Sequence, residues 1–203
     1  MKSVYVYLRE KRISNTSVGK KVYNEQKTKD LLKFIPNYNH GGELDYGGVI
    51  KLLEEGAEPN AQVLGKLMTN MASNATPRQK TITQNVLKYI KDNYNIEKYL
   101  NDLSQMSWTI PQSIFGSNDI PLDSLKWILE NGYVGDINKL NTFDNSLLGF
   151  IVTSATRSSN DQKKAIDLVL QHGANINDPS FELDHISKKV IRDYLIQKGR
   201  TAK

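Results

Sequence analysis

One ending recurs along this chain and limits what it can fold into. Leu53-Glu54-Glu55-Gly56, Ile90-Lys91-Asp92-Asn93, Leu129-Glu130-Asn131-Gly132, Leu170-Gln171-His172-Gly173 and Ile196-Gln197-Lys198-Gly199 are five stops of one form. Each is an aliphatic residue, two polar residues, then Gly or Asn. The stops lie 37, 39, 41 and 26 residues apart, a period that marks an array of one supersecondary unit. At seven, four and three residues before the first four stops stand Val49, Leu52, Leu53; Val86, Tyr89, Ile90; Leu125, Ile128, Leu129; and Ile166, Val169, Leu170. This is the i, i+3, i+4 face of a helix. A Gly or Asn directly after such a face is the left-handed residue that lets a helix close and the chain turn. Gly56, Asn93, Gly132, Gly173 and Gly199 are therefore the expected repeat turns.

A second helix is expected before each of these. Val63 to Met71 and Ser146 to Ala155 share a Leu-Gly-x-aliphatic core in which Leu64, Leu67 and Met68 match Leu148, Ile151 and Val152. Thr109-Ile110-Pro111-Gln112 has the form of a capping box, and Thr28 to Ile35 is a short helical pattern. The unit reads helix A, loop, helix B, Gly turn, extended link. "VIKLLEEGAEPNA" and "AIDLVLQHGANIND" resemble the second helix and turn of ankyrin repeats, with Gly56, Ala57, Pro59, Asn60 and Gly173, Ala174, Asn177 on the family pattern. Gly132 fits but is followed by Tyr133 in place of Ala, and Asn93-Tyr94 fits weakly. The usual Thr-Pro-Leu-His opening of helix A is absent. The spacings exceed the family's ~33 residues, and the extra length is assigned to loops between helices A and B, "SNATPRQKT" and "TRSSNDQKK".

The resemblance implies an all-α solenoid of paired antiparallel helices. Residues 27–199 form the array, as 27–60, 61–97, 103–138, 144–177 and a truncated capping repeat 180–199, with 200–203 as a tail. The cap is expected to turn a polar outer face to solvent through Lys188, Lys189, Arg192 and Lys198. Residues 1–26 are a basic extension or cap. Val4, Val6 and Leu8 alternate with Tyr5 and Tyr7 there, and with Lys20 to Asn24 they suggest a small hairpin.

Charge and composition bound the chemistry. There is no cysteine in the 203 residues, which removes disulfides, thiolate metal sites and cysteine nucleophiles. Residues 1–40 carry nine Lys/Arg against three Asp/Glu, residues 186–203 six against one, and the body between them twelve against eighteen. An acidic body between basic ends fits poorly with a nucleic-acid groove, which needs a continuous basic stripe. No signal-peptide core and no stretch of ~20 apolar residues is present. The expectation is a cytoplasmic monomer without membrane insertion, with translocation into a host cell lacking a classical signal as an extension.

No catalytic, cofactor or metal site is expected. His40, His172 and His185 are scattered, with His172 read as a polar turn residue. Gly19-Lys20 in Ser17 to Lys21 lacks the earlier glycine of a phosphate loop. Glu54, Glu55, Asp161 and Asp167 lie on expected solvated helix faces. The resemblance implies a non-enzymatic protein-binding module, with effectors or effector regulators of pathogens and viruses as the comparison. Nucleic-acid binding through the basic N-terminal arm, or an enzyme built on the insertions, stand as alternatives. Candidate contacts are Trp108 ahead of helix A; Trp127, either packed under a neighbour or an exposed anchor; Tyr133, projecting from the link; and Arg78, Lys80 and Arg157, with Lys163 and Lys164, on the elongated loops.

Overall fold

The computed structural model describes residues 22–36, 43–71, 75–101, 111–112, 122–154 and 158–201. Among them are nine α-helices, one 3-10 turn at Leu183–His185 and no strand. The helices are α1 Glu25–Phe34, α2 Tyr46–Glu54, α3 Ala61–Thr69, α4 Pro77–Asn93, α5 Ile96–Leu100, α6 Leu122–Glu130, α7 Leu147–Thr153, α8 Ser159–Gln171 and α9 Lys189–Gln197. The expected all-α class holds for these residues. The hairpin expected in the N-terminal extension falls on residues 1–21, outside the described set, and α1 already begins two residues before position 27.

Four of the five stops close their helices as the periodicity predicts. Gly56, Gly132, Gly173 and Gly199 have φ of 104°, 107°, 89° and 104°, the left-handed region that a Cβ penalises. One residue further on, the amides of Ala57, Tyr133, Ala174 and Arg200 donate back to the carbonyls of Leu52, Ile128, Val169 and Leu195 at 2.9, 3.4, 3.0 and 2.9 Å. This six-to-one bond of the Schellman motif satisfies a carbonyl that the helix end would otherwise orphan. Asn93 departs from the expectation. It is the last helical residue, its side-chain amide donates to Tyr89 O at 2.8 Å, and Tyr94 leaves in an extended conformation at φ −135°. Tyr94 N still reaches Ile90 O at 2.9 Å, so this helix ends without any left-handed residue.

The faces before the stops are inward. Val49, Val86, Leu125 and Ile166, each seven residues before a stop, are fully buried, as are Ile90, Ile128 and Val169. The equivalence of Leu53 and Leu170 is incomplete: Leu53 is buried, while Leu170 is half-buried against the core. In the first helices of the pairs, Leu64, Leu67, Met68, Leu148, Ile151 and Val152 are all buried.

Packing arranges the helices in two rows. α1 packs on both α2 and α3, α3 on α4 and α5, and α7 on α8. In the second row α2 packs on α4, α6 on α8 and α8 on α9. α4 and α6 are tied by Lys80–Asp123 at 3.0 Å and by Lys91 Nζ donating to Asn131 Oδ1 at 2.6 Å. Neighbours also cap the exposed carbonyls at the ends of the first-row helices. Lys66 Nζ donates to Leu32 O, Ser124 Oγ to Met68 O, and Gln162 Nε2 to both Ile151 O and Ser154 O, at 2.6–2.9 Å.

A third tie repeats at the turns. Asn101 Oδ1 accepts Val134 N, Asn138 Oδ1 accepts Asn175 N and Asn177 Oδ1 accepts Thr201 N, at 3.0, 2.7 and 3.0 Å. Each acceptor belongs to the preceding unit, and each donor lies two residues beyond a turn glycine. Asn101 and Asn138 also donate from Nδ2 to the carbonyls of Gly132 and Gly173, both at 3.1 Å. One amide thus fixes one turn against the next.

Two expectations are corrected. The stretches assigned to elongated loops are largely helix: α4 starts at Pro77 and α8 at Ser159, so Arg78, Lys80, Lys163 and Lys164 are helical residues. Thr76 caps α4 through Gln79 N at 3.2 Å while Gln79 Oε1 accepts Thr76 N at 2.8 Å, a complete capping box with Pro at its first position. Thr76-Pro77, inside a stretch expected to be loop, is a helix start. Of the third helix A expected to start at Thr109 to Gln112, only Pro111 and Gln112 are among the described residues, and both are helical. Finally, the outer face of α9 is not uniformly polar, because Val190 and Ile196 are 44% and 52% exposed.

Candidate protein-binding surface

The chain between α6 and α7 runs from Asn131 to Ser146 without regular structure, yet a series of local hydrogen bonds holds its backbone. Ordered connections of this length are uncommon in compact domains and are usually functional. After the Gly132 turn, the Tyr133 ring folds back over Gly135, where a Cβ would come within 2.9 Å of it. Asp136 then accepts Asn138 N through its side chain at 2.8 Å and Lys139 N through its carbonyl at 3.1 Å. Ile137 is buried and pins the middle of the link. Asn141, also buried, accepts Phe143 N and Asn145 N at its Oδ1, at 2.8 and 3.1 Å. Asp144 takes φ 55° to complete that loop, the one non-glycine among the described residues in the left-handed region. From the preceding unit, Gln112 Nε2 donates to Lys139 O and Asn145 O at 2.7 and 3.2 Å. Ser146 ends the link by capping α7 at Gly149 N, 2.8 Å.

This ordered backbone carries apolar side chains outward. Val134 is 82% exposed, Phe143 63% and Leu140 40%. Large apolar groups on a rigid loop are the arrangement by which scaffolds present binding contacts, because the ordering entropy is spent in folding and not again on association. The three stand six and three residues apart and extend into no longer helical or alternating run, so periodicity gave no signal for them. The usable signal was their placement in a segment rich in Asn, Asp and Gly.

The residues expected to bind are dispersed. Trp108 and Arg157 lie outside the described residues. Trp127 is half-buried against the core and its carbonyl accepts Asn131 Nδ2 at 2.6 Å. Tyr133 does not project: it is half-buried against the core, and its hydroxyl reaches Asp136 O at 3.4 Å. Arg78 pairs with Glu43 at 3.4 Å in an exposed ion pair, and Lys80 with Asp123 at 3.0 Å in a more covered one.

Other polar clusters have structural duties. Tyr89, Tyr94 and Tyr99 donate to Glu54 Oε1, Leu53 O and Glu58 Oε1 at 3.4, 2.9 and 3.1 Å, each tying one unit to the one before. Burial first, and the Glu54 carboxylate second, push the Tyr89 hydroxyl up to about 12. Burial likewise raises Tyr94 and Tyr99, so all three remain protonated donors. Ser146 and Asp178 are a buried hydroxyl–carboxylate pair, but Ser146 Oγ donates to Asp178 while accepting Gly149 N and Ser180 Oγ. That oxygen is committed to the cap and is not placed for attack. A cleft of about 450 Å³ lies beside Tyr94, Glu97, Glu130 and Gly132. His172 is exposed at the end of α8, and the Gly173 turn is held by backbone bonds. Among the described residues, no group of three His, Asp or Glu side chains is placed to hold a metal ion, and no helix is long and apolar enough to cross a membrane.

No protein-family model matches this sequence, and no curated protein or solved structure matches it either.

Proposed function

We propose that the chain is a non-enzymatic protein-binding module, built as an ankyrin-like stack of helix pairs, whose α6–α7 link seats on another protein. The observation that carries this reading is the pre-ordered link displaying Val134, Leu140 and Phe143. Two features support the ankyrin-like architecture: glycine-closed second helices at near-regular spacing, and an asparagine tie that repeats from turn to turn. The acidic body counts against nucleic acid as the partner of this surface. The test is affinity capture with the full chain and with a Val134→Asp, Phe143→Asp variant, followed by a binding titration with each purified partner. The partner is expected to lose about thirtyfold or more in affinity for the variant, the loss of a hot-spot pair, while the melting temperature holds. Equal binding by the variant would overturn the assignment of this surface.

A further inference from the structure

We propose that the outer face of α9 seats an acidic amphipathic helix of a partner protein, which continues the second row of helices by one member. The position three residues before each turn is filled by Leu53, Ile90, Leu129 and Leu170, buried or half-buried as the next unit packs alongside. Its fifth occupant, Ile196, is 52% exposed. The end of a stack accounts for that exposure, but it does not account for Val190. Nine residues before the turns, the other units carry Gly47, Gln84, Asp123 and Lys164, all exposed. Only the last places an apolar side chain at this outward position, and there it is 44% exposed. Val190 and Ile196 lie about 9 Å apart along the helix axis, on either side of an exposed Lys189–Asp193 pair at 2.6 Å.

Charge selects the partner. Residues 186–203 hold six Lys/Arg and one Asp, while the body is acidic. Several of these cations are engaged within the chain: Lys188 donates to Gln162 Oε1 at 2.8 Å, Lys198 pairs with Asp167 at 2.6 Å, and Arg200 donates to the carbonyls of Ile176, Asp178 and Phe181. Lys189 is exposed and Arg192 half-exposed beside the apolar pair, and Lys163 of α8 reaches over the Tyr194 ring at 5.0 Å. A basic rim around two aliphatic side chains complements an acidic helix with one apolar stripe. A second copy docking through the same end would bring two basic surfaces together. The strip is also narrow and interrupted by Asp193, unlike the broad apolar face with which a helix enters a bilayer.

The test uses the isotope-labelled full chain, titrated with a synthetic acidic amphipathic peptide, with its Lys-for-Glu counterpart, and with phosphatidylcholine–phosphatidylserine vesicles. The acidic peptide is expected to shift amides of α9 and the facing turn of α8. Its affinity should fall at least about tenfold in Ile196→Asp and in a Lys189→Glu, Arg192→Glu variant. Circular dichroism on both variants separates lost binding from lost structure, and the charge variant alters only surface groups. Val134→Asp, Phe143→Asp should bind the peptide normally, so failure here and failure of the link surface read out separately. No binding, shifts elsewhere, preference for the Lys peptide or for vesicles, or a self-associated chain that Ile196→Asp dissociates would each overturn the proposal.

Discussion

The link after α2 and the link after α6 begin and end alike and differ in everything between. Both follow a left-handed glycine, Gly56 or Gly132, and both deliver the chain to a first-row helix capped by a polar side chain, Asn60 to Val63 N or Ser146 to Gly149 N. The first needs only Ala57, Glu58 and Pro59 to do it, and Ala57 and Pro59 are buried. The second takes thirteen residues, Tyr133 to Asn145, and leaves Val134, Leu140 and Phe143 at the surface. Cap and restart are therefore what these two links share, through backbone bonds at the glycine and a side-chain acceptor at the next helix. The content between them is free to carry a surface.

If these features are shared, damage to their anchors should be equally severe at both links. Leu53 and Leu129 are buried at the same position in their helices. Truncating either to Ala removes buried methyl groups and leaves a cavity, for an expected loss of about 2–5 kcal/mol. Chemical denaturation checks it. A loss at Leu129 far below that at Leu53 would show that the long link packs loosely on its helix and would break the comparison.

The parts of this fold that were legible in the sequence are those decided locally. The left-handed glycines and inward faces follow from spacing alone, because a helix end needs its glycine wherever the helix sits. Asn93 was misjudged because Asn is equally at home in a right-handed last turn, and nothing within a few residues separates the two uses. Thr76-Pro77-Arg78-Gln79 was read as loop although Thr and Gln three apart with Pro between are a helix start. The composition resembles a breaker, and the hydrogen bonds that make it a cap appear only in three dimensions. The asparagine ties were illegible for another reason. Asn101, Asn138 and Asn177 lie at different distances from their preceding stops, and only stacking brings them to equivalent places. The exposure of Val190 is masked in the sequence by the cations around it, Lys188, Lys189 and Arg192, which dominate the local composition.

Substitutions at the turns sharpen the comparison at a smaller scale. Gly56→Ala adds a Cβ whose nearest neighbour is 3.7 Å away, so its cost is conformational, about 1–2 kcal/mol. Gly132→Ala incurs the same strain and also drives the Cβ to 2.6 Å from Glu97 Cγ. It should therefore cost more than Gly56→Ala, and adding Glu97→Ala should recover the excess. Additive effects in that double-mutant cycle would mean that Glu97 simply swings away. Asn138→Ala removes both bonds that join the long link to the Gly173 turn and should cost about 1–2 kcal/mol. Amide exchange should quicken at Asn175 and along residues 136–140, with no change around Ala57, whose link is clamped separately by Thr28 Oγ1 accepting Glu58 N at 2.8 Å and by Asn24 N donating to Gly56 O at 2.9 Å.

The smallest stability effect is expected where the binding effect is largest. Phe143 is 63% exposed, and the local bonds that use its backbone, Phe143 N to Asn141 Oδ1 and Asn145 Nδ2 to Phe143 O, survive loss of the ring. Phe143→Ala should therefore change stability by less than about 0.5 kcal/mol, the range of ordinary surface substitutions. It should nonetheless weaken the partner of this surface by about 2 kcal/mol. Asn141→Ala supplies the contrast. It leaves the ring in place but removes the acceptor that orders Phe143 N and Asn145 N, so the loop loses its fixed shape. If pre-ordering matters, Asn141→Ala should weaken binding although every exposed apolar group remains, and the weakening should be largely a slower association. Calorimetry and stopped-flow binding on the two variants separate the cases. Normal binding by Asn141→Ala with a large loss in Phe143→Ala would mean that the aromatic ring acts alone and the hydrogen-bonded frame of the link is incidental to it.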